Sequence, residues 1–179
     1  MPDFVRSSAL RKATFEALHD RGIPLLKIAE LTFFLQQYHI PNLTMEECLT
    51  NVEHVLEKRE VQNAILTGVQ LDKLAEKKLL DPPLQAIIEA DESLYGIDEV
   101  LALSILNIYG TIGFTNYGYI DKLKHGVLQR LNDKSTGEIH TFMDDLVGAV
   151  AAAAASRMAH HYRGDEEAEL DRDAKELET

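Results

Sequence analysis

The chain has 179 residues, 45% of them hydrophobic and 27% charged, and a formal net charge of −12. That size and balance suit one domain with a substantial core, and they leave no clustered Lys and Arg through which a nucleic acid or an anionic membrane surface is usually held. The most apolar stretches, 100–119 and 146–156, fall short of the roughly 20 apolar residues of a membrane helix: Asn107, Gly110, Thr115 and Asn116 interrupt the first, and the second is too short.

The start, MPDFVRSSALRK, carries charges but no apolar core of a signal peptide. The expected location is cytoplasmic, with at most peripheral contact with a membrane. A first helix opens at Ser7 or Ser8 and runs to about Arg21, where Gly22 can form the C-terminal cap. Pro24 precedes a second helix, LLKIAELTFFLQQY, which the Pro41-Asn42 turn ends. Thr44 followed by Glu47 has the form of a capping box and launches a third helix. That helix holds the one cysteine, Cys48, to which no chemistry is assigned.

From residue 59, REVQNAILTGVQLDKLAEKK is again helical, and Asp81-Pro82-Pro83 caps a short fifth segment, PLQAIIEA. In the next helix Val100, Leu101, Leu103, Ile105, Leu106 and Ile108 cover every side of the wheel, as in a helix buried among others. The glycines of GTIGFTNYG read as a helix break, with Thr115 and Asn116 as minor candidates for substrate contact. Residues 120–132 read as a shorter amphipathic piece, and HTFMDDLVGAVAAAAASR as the last long helix. The expected fold is all-α: a single-domain bundle over 1–163 with one central buried helix surrounded by about five others. Residues 164–179 form an acidic tail, solvated helix or disordered.

Acidic residues stand at the edges of these apolar segments: Asp98 and Glu99, Asp121, and Asp144 with Asp145. Two readings are open. First-turn acids complement helix dipoles, worth about 0.3–1 kcal/mol each. Alternatively, carboxylates withdrawn from water gather around a hard cation such as Mg²⁺, which takes oxygen ligands and works on phosphate groups. Successive residues of a helix diverge by about 100°. Asp145, above Gly148, Ala149 and Ala152, should therefore point inward, with Asp144 at the rim. His160-His161 and the group Glu53, His54, Glu57 and Glu60 are weaker metal candidates, better explained by solvation and ion pairing.

The segments GIDEVLALSI (96–105), YIDKLK (119–124) and FMDDLVGAVAA (142–152), in this order, resemble the phosphatidylglycerophosphatase A family. EHVLEKREVQNAILTGVQLD (53–72) is similar to its soluble branch without membrane helices. The resemblance implies a Mg²⁺-dependent phosphomonoesterase that converts phosphatidylglycerophosphate, or another phosphomonoester, to the free alcohol and phosphate. It implies metal ligation by Asp98, Glu99, Asp121, Asp144 and Asp145. Catalytic roles fall on Asp121, Lys124, Asp144 and Asp145, with Asp121 a ligand or the base that orients water and Lys124 the partner of the phosphate. Gly118 and His125 stand where the family's membrane-bound members have an arginine and a proline, and their Gly- and Pro-rich N-terminal segment has no counterpart. A homo-oligomer is compatible with the alanine run. The alternative readings are a non-catalytic metal- or ligand-binding protein and a helical scaffold.

Overall fold

A computed structural model describes the backbone of residues 5–177 and the side chains of residues 5–164; these residues form α-helices, one 3₁₀ turn and no strand. The helices are α1 (Ser7–Asp20), α2 (Leu25–Gln36), α3 (Met45–Leu56), α4 (Arg59–Glu76), α5 (Leu84–Ala90), α6 (Ile97–Leu106), α7 (Gly110–Leu123), α8 (Val127–Leu131) and α9 (Met143–Leu177). The 3₁₀ turn covers Lys134–Thr136.

Local signals place several of the boundaries. At α3 the capping box forms as expected: Glu47 N–H donates to Thr44 Oγ1 at 3.2 Å, and Thr44 N–H donates to Glu47 Oε2 at 2.8 Å. Gly22, with φ +70°, takes the left-handed conformation that closes α1, and Ile23 behind it is fully buried.

The central helix is α9. Residues 149–155 are alanine or valine and are at most 1% exposed, while α2, α3, α6 and α7 pack along it and α4 and α8 close the sides. Alanine adds little breadth, so neighbours approach the α9 backbone from all directions and dispersion contacts accumulate. The approach of α4 is tightest at Gly68, where a Cβ would lie 2.5 Å from Leu146 Cδ1 and 2.8 Å from Phe142 Cβ.

Two expectations are corrected here. The helix at 97–106 is buried on one side only: Ala102, Ile105 and Leu106 are buried, but Ile97 is 52% and Val100 59% exposed. Its large side chains fill a single contact with α9 and α4, whereas the small ones of α9 admit neighbours all round. The glycine-rich stretch breaks the helix only at its start, where the turn at 107–109 separates α6 from α7. Gly110, with φ +69°, starts α7, and Gly113 and Gly118 lie inside it. The chain bends again at Lys124 (φ +47°) and Gly126 (φ +55°), which divide 120–132 between α7 and α8. The backbone of α9 continues to Leu177; the side chains beyond 164, on which the reading of a solvated acidic tail rests, lie outside the described residues.

Candidate metal centre

The last turn of α7 and the first turn of α9 meet at one end of the bundle. Asp121 comes from α7, and Asp144 and Asp145 come from α9. Each offers a carboxylate oxygen, and these three oxygens lie within 4.8 Å of one another. Asp145 is 7% exposed and faces the interior; Asp144, half-buried, stands beside it at the rim, as the helical offset required.

The N-terminus of α9 is held by residues of three other segments. Asp72, fully buried on α4, accepts hydrogen bonds from Phe142 N–H and Met143 N–H, the latter at 3.1 Å, and so satisfies backbone donors that a helix start leaves free. Thr141 Oγ1 donates to Ile88 O at 2.6 Å, tying the same turn to α5. Arg21 pairs with Glu76 at 2.7 Å, donates to Ile139 O and contacts His140 Nδ1 at 2.9 Å, which anchors the strand of chain leading into α9. These contacts fix where the Asp144 and Asp145 backbones stand before any ligand arrives.

Lys124 completes the cluster. Its left-handed backbone at the end of α7 turns the side chain back, so that Nζ donates to Asp121 Oδ1 at 2.6 Å and to Asp144 Oδ2 at 2.8 Å. Burial opposes its charge, but the carboxylates of Asp144 and Asp121 outweigh burial and raise its pKa. The ammonium is therefore kept. Asp145 has no such partner: burial and the neighbouring Asp144 push its carboxyl up to about 8. Burial also raises Asp144, against the pull of Lys124. The buried hydroxyl of Tyr117 lies beside Asp145 without a hydrogen bond of normal geometry, and its own pKa is raised by burial and by that carboxylate.

With all three acids ionised and Lys124 protonated, the cluster carries a charge of −2 in a half-buried site, which one divalent cation would neutralise. The donor set is all oxygen, as Mg²⁺ and Ca²⁺ prefer. The three oxygens lie within 4.8 Å of one another, near the roughly 4.2 Å between opposite ligands of Mg²⁺ and inside the roughly 5 Å that the longer bonds of Ca²⁺ allow. The residues fit such an ion.

Asp98 and Glu99, at the start of α6, do not join the tight cluster. Both line the same open cavity of about 330 Å³, together with Asp121, Lys124, Asp144 and Asp145. Asp98 Oδ1 is buried with no hydrogen-bond partner among the described residues, and burial raises the pKa of the carboxyl against backbone N–H groups at the start of α6; Glu99 is exposed at the rim. Thr115 is exposed on α7, where its hydroxyl donates to Thr111 O, and neither it nor Asn116 lines the cavity. His54 pairs with Glu57 at 3.4 Å on the surface and joins no metal-binding group among the described residues.

Sequence reading missed Asp72, Asp91 and Lys134. Asp72 had a signal: with Val61, Ile65, Gly68 and Val69 it completes the buried stripe of α4 at helical spacing, an acid on an apolar face. Asp91 and Lys134, paired at 3.1 Å, line the cavity and a neighbouring one of about 280 Å³, and no local pattern marks them. Replacing Asp72 by Ala should leave two buried N–H groups unpaired at roughly 1–3 kcal/mol each. At about 2–4 °C per kcal/mol for a chain of this size, melting should fall by several degrees at least; thermal denaturation at pH 7 measures it.

The pattern of the family Phosphatidylglycerophosphatase A matches residues 22–160, which include every acid of this centre. Uncharacterized protein YutG of Bacillus subtilis (strain 168) is 66% identical over 146 residues, covering 82% of this chain and 88% of its own. YpjQ of the same organism is 51% identical over 162 residues, 90% and 91% of the two chains. The solved structure of the low temperature requirement C protein from Listeria monocytogenes is 60% identical, with a TM-score of 0.86 over 88% of this chain and 99% of that one.

Proposed function

We propose, from the premise that the chain belongs to the phosphatidylglycerophosphatase A family, that it is a Mg²⁺-dependent phosphomonoesterase acting on phosphatidylglycerophosphate. The observation that carries the reading is the convergence of Asp121, Asp144 and Asp145, with their oxygens within 4.8 Å, in one open cavity. Those three residues would hold the ion, and Asp98, whose Oδ1 has no partner among the described residues, faces the same space. A bound divalent ion would supply charge neutralisation at the phosphoryl oxygens and a more acidic water.

The chain's own groups do the rest. Lys124 keeps its proton and, released from Asp121 or Asp144, reaches toward a phosphate oxygen as a point charge. Asp121 is the most accessible of the three acids and the one suited to orient a water or accept its proton. Asp72 and Thr141 act at a distance by holding the first turn of α9. The test is phosphate release from phosphatidylglycerophosphate and from soluble phosphomonoesters, with Mg²⁺ and with EDTA. Release that requires the metal is expected, and an enzyme inert on the whole panel overturns the reading.

A second reading has one observation in its favour. Lys124 already binds two of the three carboxylates, so the cluster carries an internal cation and could serve as a helix-joining polar contact in a non-catalytic protein. That reading predicts no change in melting temperature at millimolar Mg²⁺ or Mn²⁺, whereas the catalytic reading predicts a rise, because a ligand that binds only the folded state stabilises it.

A further inference from the structure

We infer that the outer face of the α6–α7 hairpin is an interface with a second copy of this chain. Residues 100–120 contain no Asp, Glu, Lys, Arg or His. At the chain's 27% charged residues, a stretch of that length would carry about six. Burial does not explain the absence, because α6 and α7 pack on α9 with one side each and leave the other side open. Val100, Ile108, Ile112, Phe114 and Tyr119 are between 36% and 59% exposed, and they are five of the twelve large hydrophobic side chains that are exposed among the described residues. Between them lie Ser104, Gly110, Thr111, Thr115 and Gly118, also exposed, and a Cβ added at Gly110 or Gly118 would meet nothing within 4 Å. Another backbone can come close there.

Charge decides which partner fits. In an isologous contact a patch meets its own copy, so charges near the two-fold axis face like charges; a patch free of charge avoids that repulsion, and depletion of charge is the mark of an interface core. A lipid surface fits less well. Amphipathic membrane-binding helices carry several Lys and Arg beside their apolar side chains, whereas this face ends in one exposed lysine, Lys122, against Asp98 and Glu99, in a chain of net charge −12. An anionic bilayer would repel it. Because α6 begins beside the acidic cavity and α7 ends there, the interface would run up to the rim of the metal centre, although the inference does not depend on catalysis.

Sedimentation equilibrium or light scattering of the full chain tests this with no need for activity. The chain mass is 20.1 kDa, so a species of about twice that is expected at micromolar concentration. Ile112→Glu and Thr115→Glu, each placing like charges across the axis, should return the monomer mass with an unchanged helical circular dichroism spectrum. A wild type that stays monomeric to about 100 µM overturns the proposal, as does a dimer that persists in both variants. Flotation of the monomeric protein with vesicles of phosphatidylglycerol and phosphatidylethanolamine would instead assign the face to a bilayer.

Discussion

Asp145→Asn is expected to lower phosphate release by at least about a thousandfold, some 4 kcal/mol of transition-state stabilisation, while melting no lower than the parent in metal-free buffer. The asymmetry follows from where the side chain sits. Asp145 is buried, and burial and the charge of Asp144 push its carboxyl up to about 8. Its ionised form is therefore disfavoured by the fold and useful only when a cation is present. Asparagine has nearly the same shape, keeps one acceptor oxygen, and removes a like charge beside Asp144, so stability without metal holds or rises. The rise in melting temperature on adding Mg²⁺ should shrink in step with activity. Thermal denaturation with EDTA and with Mg²⁺, beside a phosphate-release assay, reads both. Turnover within tenfold of the parent removes Asp145 from the centre, and melting well below the parent in EDTA makes it a structural group.

The parts of the molecule that local chemistry controls were legible from its sequence. The capping box at Thr44, the left-handed Gly22 and the all-helical class appear where the residues indicated, and the three acidic segments do meet at one end of the bundle, except that Asp98 and Glu99 stop short of the cluster. What could not be read depended on tertiary contact. A helix apolar all round was read at 100–109 and taken for the centre, and only packing decides that the alanine-rich helix after it is the central one, since small side chains permit neighbours on every side. The glycines of α7 cost roughly 1 kcal/mol each in a helix. Close packing accompanies them: Gly113 lies against Tyr109 and Leu106 at the turn from α6, and α7 meets α9 where Tyr117 lies against Gly148. Lys124 was assigned to a phosphate from family resemblance; its place between Asp121 and Asp144 requires the left-handed turn that ends α7, which a lysine rarely adopts.

Lys124→Met should make folding depend more strongly on metal and on pH. Methionine preserves most of the aliphatic bulk but removes the single positive charge that binds Asp121 and Asp144, leaving three acids around a half-buried point. Removing one member of a fully buried pair costs about 3–5 kcal/mol. Lys124 and Asp121 keep side-chain exposures of 28% and 36%, so solvent screening lowers the expected loss to roughly 1–3 kcal/mol, or about 2–12 °C in melting at pH 8 with EDTA. The pH dependence has a definite sign. Asp145 already titrates near 8 in the folded protein, and loss of the ammonium raises Asp144 and Asp145 further, whereas in the unfolded chain both titrate near 4. The folded state then holds more protons than the unfolded state from about pH 4 to above pH 8, so stability falls as pH rises through that window and is fullest at its acid end. Millimolar Mg²⁺ at pH 8 should restore much of the loss by taking the place of the missing charge. Melting curves of both proteins at pH 5, 6.5 and 8, with EDTA and with Mg²⁺, check the three trends together. A variant insensitive to Mg²⁺ at pH 8 would show that the carboxylates hold no ion, and a loss equal at every pH would place the contribution of Lys124 in packing rather than charge.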